Sequence, residues 1–121
     1  MLETFDLSIK IPKEEYNTIS ESLLLRAGEL QREVRNRGKS VIIIFEGWRG
    51  SGISQIINKL LHTFDPRGVR VYATDEPEDI DRDHTLMWRF WTKMPPYGQI
   101  AIFDRSWYTA MLIEKFDRAR M

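Results

Sequence analysis

A short β-branched segment followed at once by a glycine-rich turn constrains this chain more than any other feature. Val41–Phe45 reads VIIIF, a continuous apolar run typical of a strand that is buried on both faces, as in a parallel sheet. The turn from Gly47 to Gly52 comes next, and apolar residues then recur at helical spacing from Ile53 to Phe64. A strand, a glycine-rich turn and a helix in this order are the setting in which protein loops bind phosphate groups.

The other segments continue an alternation of helices and strands. Further strands are expected at 69–74 and 99–103, an acidic solvated loop at 75–83, a short aromatic helix after it, and a last helix at 106–118. A first helix at 13–37 is predicted by an apolar stripe: Tyr16, Ile19, Leu23, Ala27, Leu30 and Val34. This order predicts an α/β fold with helices layered on a parallel sheet. Three strands make a thin sheet, so we expect a domain that is incomplete at its C-terminus.

The composition limits the classes of function. The chain has 121 residues, no cysteine, and 18 basic against 18 acidic residues. Zero formal net charge argues against bulk attraction to nucleic acid or to an anionic membrane. The lack of cysteine excludes disulfides, thiolate zinc sites and cysteine nucleophiles. The sequence shows neither a signal-peptide pattern nor an apolar run that could span a bilayer, so a cytoplasmic protein is expected.

The glycine-rich turn matches the P-loop pattern G-x-x-x-x-G-K-[ST] except at one position. Gly47, Gly50 and Gly52 let backbone amides curl around an anion, and the following helix N-terminus adds a partial positive charge. Ser54 stands where the pattern has its metal-binding hydroxyl. Ile53, however, replaces the lysine that normally neutralises the outer phosphates. The alternative interpretation is a strand-to-helix turn that only keeps the shape of the loop.

Charged residues elsewhere could compensate for the missing lysine. Arg49 lies inside the turn and could reach a phosphate from its other side. Asp104 and Arg105 end the third predicted strand, at the carboxyl edge where open α/β sheets bind ligands. Asp104 is the candidate Mg²⁺ ligand, and Arg105 is a candidate bidentate phosphate contact. The alternative is that Asp104 caps the next helix and pairs with Arg105.

Five sequence strings together resemble the polyphosphate kinase 2 family. They occur in the family's order and at similar spacing: FEGW at 45–48, DPRG at 65–68, LMWRFW at 86–91, PPYG at 95–98 and FDRSWY at 103–108. The resemblance covers residues 40–116. It implies a P-loop kinase-like domain that transfers a phosphoryl group between polyphosphate and a nucleoside mono- or diphosphate, with Mg²⁺. Within a single domain, we expect an N-terminal arm and helix, 1–39, followed by the N-terminal part of the kinase-like domain, 40–121.

The resemblance carries roles to matching positions and identifies departures. The matching positions are Gly47, Gly52, Arg89, Asp104 and Arg105. Ser54 departs from the family's usual glycine, yet fits the wider P-loop pattern. Three departures remove or reverse charge: Arg49 replaces an aspartate, Ile53 a lysine and Ala110 the usual arginine. Arg89 is a candidate phosphate contact, with an ion pair to the acidic loop as the alternative.

The aromatic residues within these strings allow two interpretations. We expect them to pack in the core, as aromatics beside a buried strand usually do, and base stacking is the alternative. The residues concerned are Trp88, Trp91, Trp107 and Tyr108. The two histidines, His62 and His84, are isolated and are expected at the surface.

These patterns lead to three functional hypotheses. The first is a catalytically impaired or inactive domain of this family, a pseudoenzyme that acts as a structural or binding half. Its partner would be a second polyphosphate kinase-like domain or another copy of the chain, and polyphosphate or nucleotide binding would be weak. The alternative is an active polyphosphate-dependent nucleotide phosphotransferase that uses Arg49 in place of the loop lysine. A nucleoside monophosphate kinase of another P-loop family is a weaker possibility, against which the aromatic strings argue.

Overall fold

Three parallel strands and the helices packed on them make up the fold. The computed structural model describes residues 8–120, so residues 1–7 of the predicted arm and Met121 lie outside it. The helices are α1 (Lys13–Asn36), α2 (Ile53–Thr63), α3 (Asp79–Arg82), α4 (Trp88–Trp91) and α5 (Trp107–Arg120). The strands are β1 (Val41–Phe45), β2 (Val69–Ala73) and β3 (Ile100–Asp104), and a 3₁₀ turn at Pro66–Gly68 precedes β2. No helix in this described range combines the length and apolarity needed to cross a bilayer.

The strand order β1-β3-β2 places β3 at the centre of the sheet. Both of its neighbours run parallel to it, and the register aligns Phe45, Asp104 and Ala73 side by side. All three strands therefore end at the same edge. The segments that follow the strands meet there, which is the geometry that positions the candidate site.

Successive residues of β3 face opposite layers of helices. Ile100 and Ile102 pack with Ile57 of α2, and partly buried residues of α1 join this cluster. Phe103, on the other face, packs with Phe90 of α4 and is fully buried, and residues of α5 join that cluster. Helices thus cover both faces of a parallel sheet, which confirms the three-layer α/β fold.

Two sequence-based expectations about burial are wrong. Strand β1 is not buried on both faces: Ile42 is 41% exposed, because β1 forms an edge of the described sheet. The acidic segment is not a fully solvated loop either. It contains α3, which begins with reciprocal capping between Glu78 and Asp81. The Asp81 side chain is only 14% exposed, because it faces the guanidinium of Arg89.

Helix α1 is confirmed, but only part of its predicted apolar stripe packs, since Ala27 and Val34 join the core cluster. Four members of the stripe are 44–64% exposed: Tyr16, Ile19, Leu23 and Leu30. Gly28 and Gln31 are buried instead. The Gln31 amide bonds to the turn after α2, where it donates to the Asp65 carbonyl (2.9 Å) and accepts from the Asp65 N–H (2.7 Å). A polar side chain therefore adds to the apolar contacts that dock the C-terminal half of this helix.

The aromatic residues divide between the core and the surface. Trp107 packs edge-on against Phe90 and Phe103, as predicted. Trp88 is half-buried and stacks on exposed His84 at 4.0 Å between ring centroids. Core packing is wrong for two others, since Trp91 is 62% exposed and Tyr108 is 56% exposed.

Candidate functional site

A cavity of about 420 Å³ opens at the carboxyl edge of the sheet. Its lining comes from the glycine-rich loop after β1, from residues 73–75 at the end of β2, and from the end of β3. Six of the eight site residues predicted from the sequence line it: Arg49, Gly50, Gly52, Ser54, Asp104 and Arg105. Of the other two, Gly47 opens the loop, and Arg89 lines a neighbouring cavity.

The loop has the conformation that its glycines predict. Gly50 and Gly52 have φ of 85° and 86°, a region that side-chain-bearing residues rarely adopt. The Ser51 N–H donates to the Trp48 carbonyl (3.0 Å), which closes a tight turn that contains Gly50. The first backbone amides of α2 have no acceptor within residues 8–120. Free amides at a helix N-terminus, set in a glycine-rich turn, are able to bind an anion.

Ile53 adds no charge to this cavity. Its side chain packs against the apolar cluster that contains Ile57 and Ile102, beneath the loop. Its Cδ1 atom lies 3.1 Å from where a Cβ on Gly47 would stand, so the loop closes tightly over it. Position 53 is therefore part of the core as well as part of the cavity wall, and an isoleucine suits that environment.

The charges that line the cavity are balanced. Two cations, Arg49 and Arg105, face two carboxylates, Asp75 and Asp104. Within residues 8–120 the Asp104 carboxylate has no hydrogen-bond or ion-pair partner, so the suggested Asp104–Arg105 pair is not formed. The alternative role of Asp104 as a helix cap is wrong too, since the Ser106 hydroxyl accepts from the first turn of α5, at the Tyr108 N–H (3.2 Å).

Backbone contacts hold the segment after β3 from both sides. The Arg105 N–H donates to the Phe45 carbonyl at 2.9 Å, and the Arg105 carbonyl accepts from the Thr74 hydroxyl at 2.6 Å. The Thr74 N–H donates to the Asp104 carbonyl at 3.0 Å. Arg105 has φ of 61°, the left-handed region. The backbone of Arg105 is thus held by Phe45 at the end of β1 and by Thr74 directly after β2.

Glu46 and Thr74 complete this framework, and sequence reasoning missed both. The Glu46 carboxylate accepts from the N–H (2.9 Å) and hydroxyl (2.6 Å) of Ser106, and from the hydroxyl of Thr109. Burial opposes ionisation of Glu46, but these hydrogen bonds outweigh it and lower the pKa of the carboxyl. The sequence contains a signal for both: each residue directly follows a strand, at the sheet edge where ligands bind.

Arg89 lies beside the cavity but is already engaged. It is 7% exposed, its Nη2 donates to the Asp75 carbonyl at 2.7 Å, and its Nε lies 3.8 Å from an Asp81 carboxylate oxygen. The ion pair to the acidic segment, one of the two alternatives, is therefore present. Arg89 also lines a second cavity, of about 740 Å³, so its phosphate contact stays a prediction.

The second cavity joins the first into one groove. The two share Arg49, Thr74, Asp75 and Arg105, and the second extends to α5, where Ala110 lines it. All three departures from the family pattern, at positions 49, 53 and 110, therefore fall on the walls of this groove. They change its charge while the fold around it is retained.

The residues present fit a Mg²⁺ ion that a phosphate ligand completes. Among residues 8–120, no group of three or more His, Cys, Asp or Glu side chains could hold a metal ion by itself. Mg²⁺ is usually bound through one or two carboxylates, with water and phosphate oxygens filling the other positions. Asp104 supplies one unpartnered carboxylate, and Ser54 a hydroxyl, on the wall of the same cavity.

The fold and the site define a class: three-layer α/β proteins with a glycine-rich loop at the carboxyl edge of a parallel sheet. Within it, the chain belongs to the polyphosphate kinase 2 family, whose model matches residues 10–118. The resemblance seen in the sequence strings is thereby confirmed.

Known relatives agree with this assignment. The chain is 33% identical over 119 residues to a polyphosphate:AMP phosphotransferase of Pseudomonas syringae pv. tomato, matching 97% of this chain and 24% of the relative. It is 34% identical over 87 residues to a GDP-polyphosphate phosphotransferase of Mycobacterium tuberculosis, matching 72% and 30%. The chain thus spans about a quarter of the length of the first of these curated relatives.

Solved structures show the same architecture. A Pseudomonas aeruginosa crystal structure assigned to polyphosphate kinase 2 superposes with a TM-score of 0.85 at 31% identity, covering 96% of this chain and 25% of that one. Polyphosphate kinase 2 from Arthrobacter aurescens superposes with a TM-score of 0.79 at 24% identity, over 90% and 42%, and supports the fold alone.

Proposed function

We propose that this chain is a polyphosphate kinase 2 domain that binds the phosphate groups of polyphosphate or a nucleotide but is impaired or inactive in phosphoryl transfer. The packing of Ile53 against the core carries the proposal. It leaves the loop with its backbone amides but without the lysine on which the family pattern relies. In this view the chain is a pseudoenzyme, a binding or structural half that works beside a second polyphosphate kinase-like domain or another copy of itself.

Binding and transfer depend on different parts of this site. Free amides of the loop, together with Arg49 and Arg105, supply contacts that a phosphate chain accepts in its ground state. Transfer needs charge placed where the transition state develops it, and removing one such group costs on the order of a hundredfold to a thousandfold in rate. Mg²⁺, where bound through Asp104, would neutralise phosphate oxygens. It would not replace the lysine, so we expect the chain to keep phosphate binding and to lose phosphoryl transfer.

A lysine restored at position 53 tests this proposal. The chain should bind tripolyphosphate, by calorimetry, yet give no polyphosphate-dependent phosphorylation of AMP, ADP or GDP. Ile53→Lys should tighten tripolyphosphate binding by about tenfold, because one charge-assisted hydrogen bond is added. Ile53→Leu keeps the apolar contact with the core and is the matched control, with unchanged affinity. Robust turnover by the unaltered chain, or no tripolyphosphate binding at all, would overturn the proposal.

The position of Arg49 supports a second candidate function. Arg49 lines both cavities, so its guanidinium is placed to meet a ligand that spans the groove. In this alternative the chain is an active phosphotransferase in which Arg49 does the work of the lysine. Arg49→Ala should then abolish Mg²⁺-dependent turnover and nucleotide binding, while Arg49→Lys retains part of both. Unchanged binding in the alanine variant rules this alternative out.

A further inference from the structure

Two of the family-like strings, FEGW and FDRSWY, are hydrogen-bonded to each other through residues that the proposed phosphate contacts do not include. Glu46 belongs to the first string and Ser106 to the second, and their side chains are hydrogen-bonded to each other. We infer that Glu46 is a positioning residue, which fixes the Asp104–Arg105 segment relative to the glycine-rich loop so that Arg105 faces a bound phosphate. The inference rests on the proposed phosphate-binding function and adds a residue to it.

Both oxygens of the Glu46 carboxylate accept hydrogen bonds. One of its oxygens accepts from both the N–H and the hydroxyl of Ser106, and the other accepts from the hydroxyl of Thr109. Ser106 is fully buried, so its N–H and hydroxyl have no access to water as a substitute partner. The contact also places a carboxylate at the N-terminus of α5, where the helix dipole favours negative charge.

Phe45 and Glu46 together form a clamp, because they hold two consecutive residues of the segment after β3. The Phe45 carbonyl holds the Arg105 N–H, and the next residue, Glu46, holds the Ser106 N–H. Arg105 is kept in a left-handed conformation, φ 61°, which an arginine adopts only when its surroundings restrain it. Thr74, directly after β2, restrains the same residue through the Arg105 carbonyl. Loss of the Glu46 contacts would therefore leave the hydrogen bond from Arg105 to Phe45 as the remaining restraint on the β1 side of the segment.

The position of Glu46 in the chain extends this restraint to the loop. Gly47, which opens the glycine-rich loop, is the next residue, and a Cβ there would come within 2.9 Å of the Ser51 hydroxyl. Glu46 thus has the loop on one side and the Arg105 segment on the other. A single carboxylate sets the distance between the two halves of the proposed phosphate site.

Glu46→Gln tests the inference, because it keeps the shape of the side chain and removes one acceptor together with the charge. General electrostatics predicts tighter binding of an anion once a nearby negative charge is removed. Positioning predicts the opposite, a loss of about tenfold in tripolyphosphate affinity. Glu21→Gln removes the same charge from the exposed surface of α1, away from both cavities, and serves as the matched control, with unchanged binding.

A double-mutant cycle separates positioning from general destabilisation. If Glu46 acts through Arg105, Glu46→Gln should weaken binding in the native background and have no effect in an Arg105→Ala background. Equal losses in both backgrounds, or tighter binding in Glu46→Gln, would overturn the inference.

Amide hydrogen exchange reports on the clamp independently of any ligand. In Glu46→Gln the Arg105 and Ser106 amides should exchange faster, while the Ile102 amide at the centre of β3 stays protected. If the unaltered chain binds no tripolyphosphate, the proposed function fails and exchange alone decides whether Glu46 restrains the segment. Unchanged protection of Arg105 and Ser106 would then refute it.

Discussion

Arg105 combines an unusual backbone conformation with a candidate phosphate contact. Its φ of 61° is unfavourable for any residue with a Cβ atom and is not unfavourable for glycine. We therefore predict that Arg105→Gly is more stable than Arg105→Ala by about 1 kcal/mol in urea unfolding. Both variants lack the guanidinium and should lose tripolyphosphate affinity equally. An alanine variant as stable as the glycine variant would show that the backbone at this residue relaxes without cost.

Asp65 gives the stability of the chain an acid dependence. Hydrogen bonds from the Arg67 side chain and backbone lower its pKa from 3.8 to about 2. Because the folded pKa lies below the unfolded one, this stabilisation is complete above pH 4 and is lost as the pH falls towards 2. Asp65→Asn keeps an acceptor for the Arg67 N–H but cannot ionise. Urea midpoints at pH 5, 3 and 2 should therefore converge for the two proteins as the pH falls.

Helix α1 docks through one buried amide as well as through apolar contacts with the core. Gln31 makes two hydrogen bonds to the backbone of Asp65, and the buried Gly68 leaves room for its side chain. Gln31→Leu leaves both Asp65 groups without a partner and should cost about 2 kcal/mol in chemical denaturation. Arg32→Ala, on the exposed side of the same helix, is the control and should change stability little. Equal small effects would mean that α1 docks through its apolar contacts alone.

Sequence patterns predict the bounds of helices and strands better than they predict burial or strand order. The strand bounds agree with the structure to within one residue, because β-branched runs between turn residues leave little choice. The spacing predicts α1 and the packing of Ala27 and Val34. It does not predict that Leu23 and Leu30 are exposed, or that Gln31 is hydrogen-bonded to Asp65. The central position of β3 was not predicted either. Strand order depends on how crossovers pack, which no local pattern encodes.

At the site, the residues that the sequence predicts are those that a short motif or a strand end identifies. The glycine-rich loop and Asp104 are recognisable from a motif and a strand end. Glu46 escaped notice because its partners, Ser106 and Thr109, are 60 and 63 residues away in the chain. Only the parallel register of β1 and β3, which aligns Phe45 with Asp104, brings these residues together. Long-range pairing of this kind becomes visible only in the folded chain.

The whole molecule couples its core to its site through β3. Both apolar clusters include residues of this strand, and its last residue, Asp104, lines the cavity. The glycine-rich loop and the end of β2 complete the same cavity, so a ligand bound there contacts all three strand ends. Because the unfolded chain lacks this arrangement, a phosphate ligand should bind the folded state alone and stabilise the entire fold.

Thermal unfolding with tripolyphosphate measures this coupling. At a ligand concentration about a hundredfold above Kd, linkage gives a stabilisation of about 2.7 kcal/mol. For a domain of this size that corresponds to a rise in Tm of roughly 10 °C. Arg105→Ala should show a much smaller rise at the same concentration, since it binds the ligand less tightly. A Tm that does not change with tripolyphosphate would mean that the groove, although formed by all three strand ends, does not bind a phosphate chain.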